Sequence, residues 1–214
     1  MYKKKPFFIV FEGVEGCGKS YQSKKLFKNL KKRNIPTLLT REPGGTKSAE
    51  LIRNLILKDY FIKNNRQKFD KYTDTILYLA ARNEHVKTKI RPALLKKNVV
   101  ICDRFIDSTI AYQVYGKKVN ANLIKKIHSY ILNGIKPNMI FLLKVSPSLS
   151  RKRLKKRKSK NRYDNFPQSF YTKAQKSFLK IAKNKKNYFI FNSTNDNFLE
   201  RKIFEIVCKK LKIK

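Results

Sequence analysis

Residues 7–20 read FFIVFEGVEGCGKS, and this stretch decides the fold. Its first five residues, 7–11, form an unbroken apolar run, the pattern of a strand buried on both faces. The last eight, 13–20, match G-x-x-x-x-G-K-[ST]. Glycines let backbone N–H groups turn inward around a phosphate without Cβ clashes, and a following helix adds the positive end of its dipole. A buried strand, this loop and a helix over 20–32 define a phosphate cradle made of Gly13, Val14, Glu15, Gly16, Cys17, Gly18, Lys19 and Ser20. Lys19 is placed to reach β- and γ-phosphates, and Ser20 to offer its hydroxyl to Mg²⁺.

Working outward, the segments at 35–39, 99–102, 139–145 and 188–191 read as further strands. Helical patterns fall at 48–58, 72–89, 107–115, 120–133, 147–158, 168–183 and 198–211, with Pro92 opening a turn. Strands alternating with helices predict an α/β protein. We therefore expect a P-loop NTPase fold with a five-stranded parallel sheet flanked by helices. Residues 1–214 read as a single domain carrying a small basic lid at 151–166. Ligands of such sheets bind beyond the carboxyl ends of the strands.

Two further motifs occupy such positions. Arg41-Glu42-Pro43-Gly44-Gly45 follows the second strand, and Asp103-Arg104 follows the third. Asp103 is placed to hold Mg²⁺ through water, and Arg104 to grip a phosphate with its planar fork. The chain has only 14 acidic residues, yet Glu12, Glu15, Glu42, Glu50, Asp103 and Asp107 all fall in three short segments near strand ends. Carboxylates so close to phosphates must coordinate Mg²⁺, orient a base or hold an arginine, or they would repel the substrate.

Composition sets outer limits. With 52 Lys and Arg the formal net charge is +38. The basic residues are spread along the chain rather than gathered in one stripe, and Lys, Asn and Ile are abundant everywhere. This reads as compositional bias and not as a specific nucleic-acid surface. Three widely spaced cysteines and two histidines suggest neither disulfides nor a metal cluster. The apolar run behind the basic N-terminus is too short for a leader or a membrane span, so the expectation is a cytoplasmic protein.

Taken together the motifs resemble the thymidylate kinase family, in its bacterial form. The matching segments are FEGVEGCGKS (11–20), REPGG (41–45), LAARNEH (79–85), CDRFIDSTIAYQ (102–113), KPNMIFLL (136–143) and NRYD (161–164). The resemblance implies transfer of the γ-phosphoryl of ATP to dTMP with Mg²⁺, in a homodimer. It implies that Arg41, Arg53 and Arg104 surround the acceptor phosphate with Glu42 orienting them. Glu15 is then near the deoxyribose, Tyr78 stacks on thymine, and Arg82 and Gln113 hydrogen-bond the base. Tyr112 lies against the sugar, with Ser108 and Thr109 beside the base. Since the loop itself carries no arginine, the catalytic arginine is expected in the lid: Arg162 first, then Arg157, then Arg153. The rival readings are a kinase for another nucleotide or deoxynucleoside, and a basic nucleic-acid-binding P-loop protein.

Overall fold

The computed structural model describes residues 5–57, 69–156, 163, 166–193 and 198–213. Five parallel strands, β1 (Phe7–Glu12), β2 (Thr37–Arg41), β3 (Val99–Asp103), β4 (Met139–Lys144) and β5 (Tyr188–Asn192), form one sheet in the order β2-β3-β1-β4-β5. This is the predicted sheet. All six residues of β1 are buried, as a central strand covered on both faces requires. Alternation divides them between two cores. Phe7, Ile9 and Phe11 pack on one side of the sheet, with Leu26, Phe178 and Val207. Phe8 and Val10 pack on the other, with Val86, Ile90 and Ile124.

The described helices are α1 (Lys19–Lys32), α2 (Lys47–Leu57), α3 (Lys71–His85), α4 (Arg91–Leu95), α5 (Ile106–Thr109), α6 (Ala121–Leu132), α7 (Pro147–Lys155), α8 (Gln168–Ala182) and α9 (Phe198–Leu211). Three of the departures from the expected boundaries have clear local reasons. The second strand starts two residues late, because Ile35 still donates its N–H to Leu30 at the end of α1 and Asn34 takes a left-handed turn (φ 55°). Arg41 is the last residue of β2 rather than two residues beyond the strand. The helical pattern at 72–89 splits, since Val86–Ile90 forms a wider, π-helical turn that leads into α4. Pro92 is the second residue of α4, at its junction with this π-helical turn. Likewise Ile110–Gly116 continues α5 as π-helical turns, a feature frequent at functional sites.

The strand register positions the site. Phe11 pairs with Asp103, and Arg41 also pairs with Asp103. The ends of β1, β2 and β3 are thus level, and the loops leaving them share one edge of the sheet.

Candidate active site

The loop leaving β1 is shaped by close packing. Gly13 has φ 137°, and a Cβ there would strike the Leu143 carbonyl and come within 2.8 Å of Cys17 Sγ. Val14 and Cys17 point into the core, so these two loop positions can offer a phosphate only their backbone. Lys19 Nζ donates to the carbonyls of Gly13 (2.9 Å) and Val14 (2.8 Å). Ser20 Oγ donates to Asp103 Oδ2, bringing together the two oxygens expected at the metal.

The side expected to hold the acceptor centres on Arg104, whose backbone is left-handed (φ 74°). Its Nη1 donates to Gly13 O and Ser108 Oγ, both at 3.0 Å, and its Nη2 to Glu15 Oε1 at 2.8 Å. Tyr112 OH donates to the other Glu15 oxygen at 2.6 Å. Burial opposes the charge on Glu15, but Arg104 and Lys19 outweigh it and hold the carboxyl below its ordinary range. Behind this group Glu12 accepts from Phe105 N (2.8 Å), Ser108 N (3.2 Å) and Ser108 Oγ (2.6 Å). Burial, then the neighbouring Asp107, raises Glu12 to about 7.

A second cluster joins β2, α3 and α6. The Arg82 guanidinium, 3% exposed, donates to Glu42 (2.7 Å), Thr109 (2.8 Å), Phe105 O (2.9 Å) and His128 (2.6 Å). His85 bonds Glu42 (3.1 Å) and Thr40 (2.6 Å), fixing the loop of Pro43–Gly45 from below. Burial disfavours the Glu42 charge, yet Arg82 and His85 keep its carboxyl low. Glu50 receives both Arg41 and Gly45 N, while Arg53 donates to Pro43 O at 2.6 Å.

Every residue expected at the acceptor lines one cavity of ≈ 1420 Å³, which also reaches Glu15, Lys19, Ser20 and Asp103. Tyr78 is in it, its hydroxyl 2.5 Å from that of Tyr163, within the segment expected to form the lid. Arg153 on α7 lines the cavity at the phosphate loop and donates to Gly16 O (3.0 Å) and Ser193 Oγ (2.8 Å). Arg157 and Arg162 lie outside the described residues.

Sequence reasoning gave no role to Glu12, His85, His128 or Tyr163. Glu12 belonged to the strand-end carboxylates, and His85 and Tyr163 to quoted motifs, which were the available signals. His128 had none.

A phosphate cradle and a second pocket with its own arginines, opening into one cavity on a parallel sheet, define a P-loop nucleotide kinase. The thymidylate kinase family model matches residues 11–202. The chain is 39% identical over 207 residues to a thymidylate kinase of Aster yellows witches'-broom phytoplasma (strain AYWB), covering 96% of each. It is 43% identical over 181 residues to one of Wolbachia sp. subsp. Brugia malayi (strain TRS), covering 83% of this chain and 82% of the relative. The crystal structure of thymidylate kinase from Ehrlichia chaffeensis matches with a TM-score of 0.75 at 30% identity, over 95% of this chain and 99% of that one. The chain belongs to the thymidylate kinase family.

Proposed function

We infer that the protein transfers the γ-phosphoryl group of ATP to dTMP, giving ADP and dTDP. The observation that carries this is the one cavity lined by Lys19 and Ser20, by Arg41, Arg53 and Arg104, and by Tyr78, Arg82 and Gln113. Residues 13–20 bind the ATP phosphates through backbone N–H groups and Lys19. Arg41, Arg53 and Arg104 hold the dTMP phosphate, Tyr78 takes one face of the thymine, and Arg82 and Gln113 bond its edge. Glu15 fixes Arg104, and with Tyr112 it borders the sugar. This chemistry is positioning plus charge stabilisation, as phosphoryl transfer demands.

Ser20 and Asp103 fit Mg²⁺, which favours one or two carboxylates, a hydroxyl and substrate phosphates over an all-protein cage. Among the described residues no cluster of three or more His, Cys, Asp or Glu competes for a metal. When bound, Mg²⁺ neutralises charge on the β- and γ-phosphates. Segment 151–166 serves as the lid of a single catalytic domain, with Arg153 at the phosphate loop and Arg162 and Arg157 as further cations for the moving group.

The protein further acts in the cytoplasm as a homodimer without specific nucleic acid. Leu51 (69% exposed), Leu55 and Ile76 give α2 and α3 an apolar outer face suited to a second copy. Among the described residues no helix is long and apolar enough to cross a membrane.

A panel of dTMP, dUMP, dCMP, AMP, GMP and thymidine with ATP and Mg²⁺ tests the reaction. Preferred turnover of dTMP is expected. Preference for another acceptor would overturn the assignment.

A further inference from the structure

Arg82 lies on α3 and lines the cavity beside Tyr78 and Gln113, the part assigned to the base. Its guanidinium carries five N–H donors. Four are taken by the protein: one by Glu42, one by Thr109, one by the Phe105 carbonyl and one by His128. Among the described residues the fifth, on Nη2, has no protein acceptor. The direction of that last donor therefore depends on how firmly the other four are held.

His128 stands apart from the other three partners. It comes from α6, has no other role in the site, and is 6% exposed. Arginine stays protonated and can only donate. At 2.6 Å, His128 Nε2 must therefore present its lone pair, with the ring proton on Nδ1. Burial, then the Arg82 charge, pushes the imidazole down to about 3, so it remains a neutral acceptor at working pH. A carboxylate in its place would join Glu42 as a second anion on one guanidinium. A neutral imidazole fixes the geometry without cancelling further charge.

We propose that His128 is a positioning residue for acceptor recognition, holding Arg82 so that its one remaining N–H faces the substrate's base carbonyl. The role rests on the assignment of Arg82 to the dTMP base, and the test separates the two.

Steady-state kinetics on the full chain compare His128→Phe, His128→Gln and Arg82→Lys. His128→Phe keeps a ring and removes the acceptor. It is expected to raise the KM for dTMP about tenfold while leaving kcat and the KM for ATP within about twofold. His128→Gln, which places an amide oxygen near the Nε2 position, is expected to recover most of the loss. Arg82→Lys is expected to raise the dTMP KM by at least as much as His128→Phe. If Arg82→Lys leaves that KM unchanged, the base assignment of Arg82 falls and the proposal with it. If Arg82→Lys raises it and His128→Phe does not, His128 alone is overturned. Should His128→Phe fail to fold, the ¹⁵N spectrum of the unaltered protein at pH 7 decides: a proton on Nδ1 of His128 supports the role, and a proton on Nε2 overturns it.

Discussion

Glu15 Oε1 and Arg104 Nη2 stand 2.8 Å apart, so the phosphate loop and the residue after β3 share one ion pair. Tyr112 holds the second Glu15 oxygen at 2.6 Å. The loop proposed to cradle the donor and the arginine proposed to grip the acceptor are thus joined through a single carboxylate.

Glu15→Gln keeps the shape and an acceptor for Tyr112 but removes the charge that orients Arg104. Rapid-quench kinetics should show kcat reduced about 100-fold, with the ATP KM within about twofold. A reduction below threefold would remove Glu15 from the machinery.

Arg153 bridges Gly16 O and Ser193 Oγ with one nitrogen. Arg153→Lys loses the planar fork, and its ATP KM should rise about fivefold. Arg162→Ala should instead lower kcat by more than about tenfold, because a cation on the moving group acts in the transition state. The reverse pattern would exchange the two roles.

Gly45 has φ 94°, and a Cβ there would lie 2.5 Å from His85 Nε2 and 2.6 Å from Thr40 Oγ1. His85 is wholly buried and bonded to both Thr40 and Glu42, so it cannot withdraw cheaply. Gly45→Ala should cost about 2–4 kcal/mol in urea unfolding, from backbone strain and overpacking together. A loss under about 0.5 kcal/mol would show that the loop adapts.

Glu12 and His128 should give stability opposite pH trends. Folded Glu12 keeps its proton up to about 7, against 4.5 ordinarily. Its stabilising contribution is complete below pH 4.5 and lost as pH rises through about 7. Folded His128 resists protonation down to about 3, against 6.5 ordinarily, so its contribution fades as pH falls below 6.5. Between pH 4.5 and 6.5 the two partly cancel. Glu12→Gln should therefore expose a melting temperature that rises with pH across this window. An unchanged pH profile would show that Glu12 titrates alike in folded and unfolded chains.

Much of the site was legible because its pieces are contiguous. The loop at 13–20, the 41–45 turn and the 102–113 segment each carry their chemistry in a short run at a strand end, and β1 announces itself by five apolar residues in a row. What escaped was non-local. His128 lies on an amphipathic helix where an imidazole looks like any partly polar core residue, and only the approach of α6 to α3 gives it Arg82. The partnership of Tyr78 and Tyr163 spans 85 residues and has no local signature. The π-helical turns were invisible because apolar spacing does not distinguish them from α-helix, and Ile35 read as strand because its helix-terminating bond to Leu30 is a backbone matter.

The pairing of Phe11 with Asp103 has a further consequence. Adjacent strands lie about 4.8 Å apart, a spacing set by backbone hydrogen bonds and almost independent of side chains. The gap between the phosphate loop and the carboxylate proposed for the metal is measured by that ruler. Surface residues can then be exchanged freely without altering it. A chain that has accumulated 52 lysines and arginines on a common scaffold can drift far in composition while its reacting groups stay in gauge.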